Sequence, residues 1–190
     1  MIKACATQWG NACLLAVALG VVCSASPADP PTVRATIVPA AERKPAPVFV
    51  LQDAAGKTVK LSDKLGQVVL LDFWATACGG CVREMPGFMD LAQKYKKNNL
   101  SVVGVSVDIL YENLKSPEEA WSKVTPFVQS HKVNYQILMG DDRVNTRYDI
   151  KALPLTYLID GRGRIAATYM GVVDEDNVET NLQTLMKERK

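Results

Sequence analysis

The apolar and polar positions divide the chain into three parts: an apolar run near the start, a proline-rich stretch, and an alternation of strand-like and helix-like segments. Val48 to Leu51 and Thr58 to Leu61 read as strands, with Asp53-Ala54-Ala55-Gly56 between them, so Pro47 to Leu61 predicts a hairpin. Gln67 to Trp74 and Leu100 to Val107 are near-continuous apolar runs, the pattern of strands covered on both faces. Tyr135 to Met139 predicts a short strand, and Arg164 to Met170 a strand that follows the Gly161-Arg162-Gly163 turn.

Helical spacing fills the intervals. Phe88, Leu91, Ala92 and Tyr95 share one face up to Lys97, and Asn98-Asn99 stops that helix. Ser116-Pro117-Glu118-Glu119 is a helix start, with a cap, a proline and first-turn acids, followed by the stripe Ala120, Val124, Phe127 and Val128. Asp142 to Tyr148 predicts a short helix. Asp174 to Lys187 predicts a closing amphipathic one, with Val178, Leu182, Leu185 and Met186 inward. No internal repeat is visible. The fold class is α/β.

The first 25 residues read as a secretory signal. Lys3 supplies the positive start, Ala12 to Val22 the apolar run, and the small residues after it allow cleavage after Ala25 or Ala28. The run is short for a span of about 20 residues, though an N-terminal membrane anchor is the competing reading. A lipid on Cys23 is disfavoured by bulky Val22. Residues 26–46 read as an extended Pro-rich linker, and residues 47–190 as one domain.

Cleavage changes the chemistry. Of five cysteines, Cys5, Cys13 and Cys23 lie in the signal, which leaves Cys78 and Cys81. An even pair suits an exported protein. The net charge of +2 becomes nearly neutral without Lys3, so nothing argues for nucleic acid or an anionic membrane.

Cys78-Gly79-Gly80-Cys81 has the C-x-x-C spacing. If a helix starts near Cys78, both sulfurs lie on one face within bonding reach. Cys78 then sits over the free amides, where a thiolate is favoured. So small a loop gives a weak staple, roughly 2 kcal/mol in the chain-entropy account. Three readings compete: structural zinc, an inert local disulfide and a redox-active pair. Zinc lacks a second pair of ligands, and His131, the single histidine, has no partner nearby and reads as a helix cap or a solvated residue. The weak staple argues against the inert bridge and for the redox pair.

Other residues have two readings each. Asp72 interrupts a buried run, where a carboxylate is costly unless paired or protonated, or else lies solvated at the strand end. Glu84, one turn past Cys81, shares its helix face or is an ordinary exposed acid. Trp74 packs beside the cysteines or simply fills the core.

LLDFWATACGGCVREMP resembles the active-site strand and helix of the thioredoxin superfamily, and most of all the extracytoplasmic TlpA/ResA-like thiol–disulfide oxidoreductases. KPAPVFVLQDAAGKTVKLSDKLG, VVGVSVD and LPLTYLIDGRGRIAATYMG fit the same family, over about Pro45 to Lys187. The resemblance implies a thioredoxin fold with an N-terminal β-hairpin at the sheet edge and a central helical insertion. It implies a cis Pro154 facing the cysteines, with the Leu153 backbone and Trp74 completing a docking surface. It makes Cys78 and Cys81 the redox disulfide, and Glu84 and Asp72 the groups that handle the proton of Cys81. Pro86 is expected to kink the helix.

The implied activity is extracytoplasmic, periplasmic thiol–disulfide exchange. The implied role is a reductant of protein disulfides, such as in cytochrome c maturation, recharged by a membrane thiol donor and acting as a monomer without cofactor or metal. Two departures stand out: Ala77 replaces the usual Trp, and Gly79-Gly80 the usual Pro-containing pair. A copper- or haem-handling metallochaperone using the reduced dithiol is the alternative, with Met85 and Met89 as the nearby soft ligands. A peroxide-reducing relative is disfavoured, since Leu71 and Ala75 stand where its Pro and Thr belong.

Overall fold

The computed structural model describes residues 31–188, so the expected signal and the first part of the expected linker lie outside the described residues. One seven-stranded sheet carries the fold. Its strands are β1 (Val50–Gln52), β2 (Thr58–Lys60), β3 (Val68–Trp74), β4 (Leu100–Ser106), β5 (Gln136–Met139), β6 (Leu155–Ile159) and β7 (Ile165–Met170). The order across the sheet is β2-β1-β5-β4-β3-β6-β7. β3, β4 and β5 run parallel, and the pairs β1–β2, β1–β5, β3–β6 and β6–β7 are antiparallel. The hairpin sits at the sheet edge, as expected.

β3 is buried at all seven positions, which is why its sequence shows no alternation. Val69, Leu71 and Phe73 face one side, with Phe49, Leu51, Leu61, Val144 and Tyr148. Val68 and Leu70 face the other, with Phe88, Leu91, Val178, Leu182 and Leu185. The helices are α1 (Gly79–Lys94), α2 (Asp108–Tyr111), α3 (Pro117–Ser130), α4 (Asp142–Tyr148) and α5 (Glu175–Glu188). α3 starts as its sequence predicts: Ser116 Oγ accepts the Glu119 N–H at 3.2 Å, with Pro117 at the first helical position. His131 is its C-cap. α1 stops at Lys94, three residues before the predicted end, and Asn99 (φ 60°) turns the chain into β4. Pro86 lies on the exposed side of α1 within one continuous helix.

Residues 31–46 differ from the linker reading: they are extended, but docked. Val33 donates to Val172 O at 2.7 Å and accepts from the Asp174 N–H at 2.9 Å, Val38 donates to Ala166 O at 2.8 Å, and Lys44 O accepts from the Ile165 N–H at 2.9 Å. The segment thereby covers the free edge of β7. Val33, Ala35 and Ile37 turn inward against the core at strand spacing. Arg43 fixes its end. That guanidinium is 1% exposed and bonds Asp160 at 3.2 Å, Glu188 at 2.6 and 2.8 Å, and Val38 O at 2.8 Å. Among the described residues no helix is long and apolar enough to cross a membrane.

Candidate active site

The site stands where β3 hands over to α1. Cys78 is the N-cap of α1, and its sulfur accepts the Cys81 N–H at 3.2 Å. The two cysteines form a disulfide with Cα atoms 5.3 Å apart. Their environments differ. Cys78 keeps 5% of its surface exposed and Cys81 none. Only Cys78 is open to a partner, and it stands at the positive end of a sixteen-residue helix.

Asp108, which sequence reasoning missed, holds the approach to Cys78 in place. It is fully buried after β4, and its carboxylate accepts from Thr76 N–H at 3.0 Å, Thr76 Oγ1 at 2.5 Å and Ser106 Oγ at 2.7 Å. The one sequence signal was an acid closing a buried strand beside Ser106.

Leu153–Pro154 is cis. The Pro154 ring faces the first turn of α1: a Cβ placed on Gly80 would lie 3.1 Å from Pro154 Cδ and 3.2 Å from Val172 Cγ2. A Cβ on Gly79 would meet nothing within 4 Å. The two glycines of the departure are therefore unequal. Gly79→Ala is expected to raise the unfolding temperature, gaining about 0.5–1 kcal/mol from reduced chain entropy. Gly80→Ala is expected to lower it, because the methyl presses on Pro154. Thermal unfolding of the two variants checks both signs. Leu153 is half-buried between the core beneath the sheet and the cluster around the cysteines.

Trp74, read in the sequence either on the docking surface or in the core, is fully buried and packs against Phe127 of α3, ring centres 5.5 Å apart. Its position at the end of a strand covered on both faces is the reason.

Two carboxyl groups lie under the pair. Asp72 is fully buried; Thr156 Oγ1 stands 3.5 Å from its Oδ1, and its Oδ2 has no protein partner. Burial pushes its pKa up from 3.8 to about 7, only partly offset by Thr156. Glu84 is 2% exposed, and its Oε1 accepts the Val173 N–H at 2.5 Å. Burial first, then the charge of Asp72, push Glu84 up to about 8. The structure thus brings Cys78, Cys81, Asp72, Glu84, Leu153 and Pro154 to one end of the sheet. Two buried carboxyl groups, whose hold on their protons burial strengthens, share that end of the sheet with the cysteines. Among the described residues no group of three or more His, Cys, Asp and Glu is placed to hold a metal ion.

The AhpC/TSA family matches residues 43–168. The thiol-disulfide oxidoreductase ResA of Bacillus subtilis is 33% identical over 138 residues, 72% of either chain. The thioredoxin-like protein YneN of the same organism is 33% identical over 141 residues, 74% of this chain and 78% of that one. The crystal structure of the thioredoxin domain of a thiol-disulfide oxidoreductase from Bacteroides vulgatus is 25% identical with a TM-score of 0.62, covering 75% of this chain and 96% of that one. Sequence motifs, sheet topology and these likenesses agree: the chain belongs to the AhpC/TSA family and is a thioredoxin-fold, ResA-like thiol–disulfide oxidoreductase.

Proposed function

We propose that the protein reduces disulfides of other proteins outside the cytoplasm, with Cys78 as the attacking thiol. The observation that carries this reading is the asymmetry of the pair: Cys78, over a helix amino end, keeps 5% of its surface exposed, and Cys81 is sealed beneath it. The Cys78 thiolate attacks one sulfur of a substrate disulfide. A Cys78–substrate bond forms, and the other substrate sulfur leaves as a thiolate. Cys81 then gives its proton to the Asp72–Glu84 pair and attacks Cys78 Sγ. That releases the second substrate thiolate and leaves Cys78–Cys81 oxidised. The two released thiolates take up protons, one returned from the carboxyl pair.

Leu153 and Pro154 form the docking rim, where an extended substrate segment pairs with backbone rather than with sequence-specific side chains. Trp74 acts from below, by filling the space under the cysteines. The oxidised pair is recharged by a membrane thiol donor. The leader-like residues 1–25 support an extracytoplasmic, periplasmic site of action. Reduction of disulfides in cytochrome c maturation is the task we assign within that setting, on the family resemblance.

Insulin reduction with dithiothreitol as the electron source tests the activity. The protein is expected to bring forward the onset of insulin precipitation. A time course matching dithiothreitol alone overturns the reading.

A further inference from the structure

Four polar atoms under the active site are buried and have no hydrogen-bond partner among the described residues: Asp72 Oδ2, Glu84 Oε2, Trp74 Nε1 and Tyr135 Oη. Two are acceptors when the carboxyls are ionised. The other two carry a hydrogen to donate. Asp72, Trp74 and Tyr135 belong to one place, and Glu84 is near enough for its charge to act on Tyr135 and for that of Asp72 to act on it. Asp72 pairs with Gly104 across β3 and β4, and Gly104 pairs with Ile137 across β4 and β5, so Thr156, Asp72, Gly104 and Ile137 form a row across four strands. Residues paired across a sheet point to the same face. Gly104 has no side chain, and the Ile137 side chain (Cδ1 2.8 Å from a Cβ built there), the indole and the phenol ring share that place. A Cβ built on Gly104 would lie 3.0 Å from Trp74 Nε1 and 3.2 Å from Tyr135 Cε2. The donor ends of both rings thus border the row position beside Asp72. Tyr135 also packs against the cluster that holds Trp74, Cys78, Cys81 and Met85.

We propose that Tyr135 is a positioning residue whose phenol O–H serves the buried carboxylates Asp72 and Glu84 through one bridging water, with the Trp74 indole as the second donor. A buried polar group without a partner is costly, and a donor shared with a carboxylate removes the cost on both sides. Such a bond is charge-assisted and favours the ionised carboxylate. It therefore opposes burial, which favours the protonated one. The phenol remains a donor throughout the working range, because burial, then Asp72, then Glu84 raise its pKa above its ordinary value. The charged and titratable groups around the pair are Asp72 on β3, Glu84 and Arg83 on α1, Glu175 at the start of α5, and Tyr135 before β5.

The proposal rests on the reading of Asp72 and Glu84 as the proton-handling pair, and its test is kept apart from turnover. Carboxyl-carbon NMR titration of the oxidised protein follows both acids while the cysteines are bonded. Tyr135→Phe keeps the ring and removes the hydrogen. It is expected to raise the titration midpoint of the pair by about one pH unit, the loss of one bond to a charged group. Fluorotyrosine at position 135, a stronger donor that differs by one atom, is expected to lower it, and it decides the question alone if Tyr135→Phe fails to fold. Midpoints unchanged from wild type in both variants assign Tyr135 to packing and overturn the proposal, as does a shift of the opposite sign. If Glu84→Gln leaves the pH profile of insulin reduction unchanged, the proton-handling reading fails while the titration shift still stands.

Discussion

Replacing Cys78 with serine is expected to lower disulfide reduction by on the order of a thousandfold or more, while the protein stays folded. The effect is large because the reaction starts from a thiolate, and a serine hydroxyl does not ionise at the working pH. The fold does not need the cysteine. Its bridge closes a loop with a sequence separation of three, so its loss removes only a weak staple. The cap it supplies to the Cys81 N–H at 3.2 Å is one that a serine oxygen also supplies. Unfolding temperature and insulin reduction are therefore expected to part company in this variant. Equal residual activity in Cys78→Ser and wild type contradicts the assignment.

Asp72→Asn is expected to make the protein more stable above neutral pH, and by a wide margin. Asp72 binds its proton more tightly folded than unfolded, since its pKa rises from 3.8 to about 7 on burial. Below the lower value both states keep the proton, and the group adds no ionisation cost. Between the two values the unfolded chain releases the proton and the folded one retains it, so stability falls as pH rises. Above the upper value the loss is complete, up to about 4 kcal/mol at about 1.4 kcal/mol per unit. Glu84 adds to the fall in its own window, between 4.5 and about 8. Wild type is expected to unfold at a lower temperature at pH 8 than at pH 5. Asp72→Asn is expected to show a flatter profile and to exceed wild type at pH 8. A variant less stable than wild type at pH 8 contradicts the burial of a carboxylate that resists ionisation.

The parts of the fold legible in the sequence are those where local chemistry and tertiary context agree. The β3 run, the Ser116 cap and the C-x-x-C at a helix start each carry a signal within a few residues. Asp72 was legible as an anomaly, because a charge in a buried run demands a reason. Other features depend on register. Trp74 ends a strand with no alternation, so nothing local told whether its ring lies on or under the site. Tyr135 and Trp74 converge only because Gly104 has no side chain to keep them away. Asp108 meets Thr76 only because β4 runs parallel to β3 and ends beside it. Residues 31–46 carried a faint strand alternation, Val33, Ala35, Ile37, which the prolines around it masked. Arg43 looked like a linker charge until Asp160 and Glu188, more than a hundred residues away, closed on it.

The division of labour between the two sulfurs is the claim on which the rest depends. Cys81→Ser, reduced and mixed with an excess of a peptide disulfide, puts it to the proof, with peptide mapping by mass spectrometry as the readout. A stable peptide adduct on Cys78 is the predicted result, since the less buried sulfur attacks and nothing remains to resolve it. No adduct on Cys78 in that variant, or an equally rapid adduct on Cys81 in Cys78→Ser, contradicts the account.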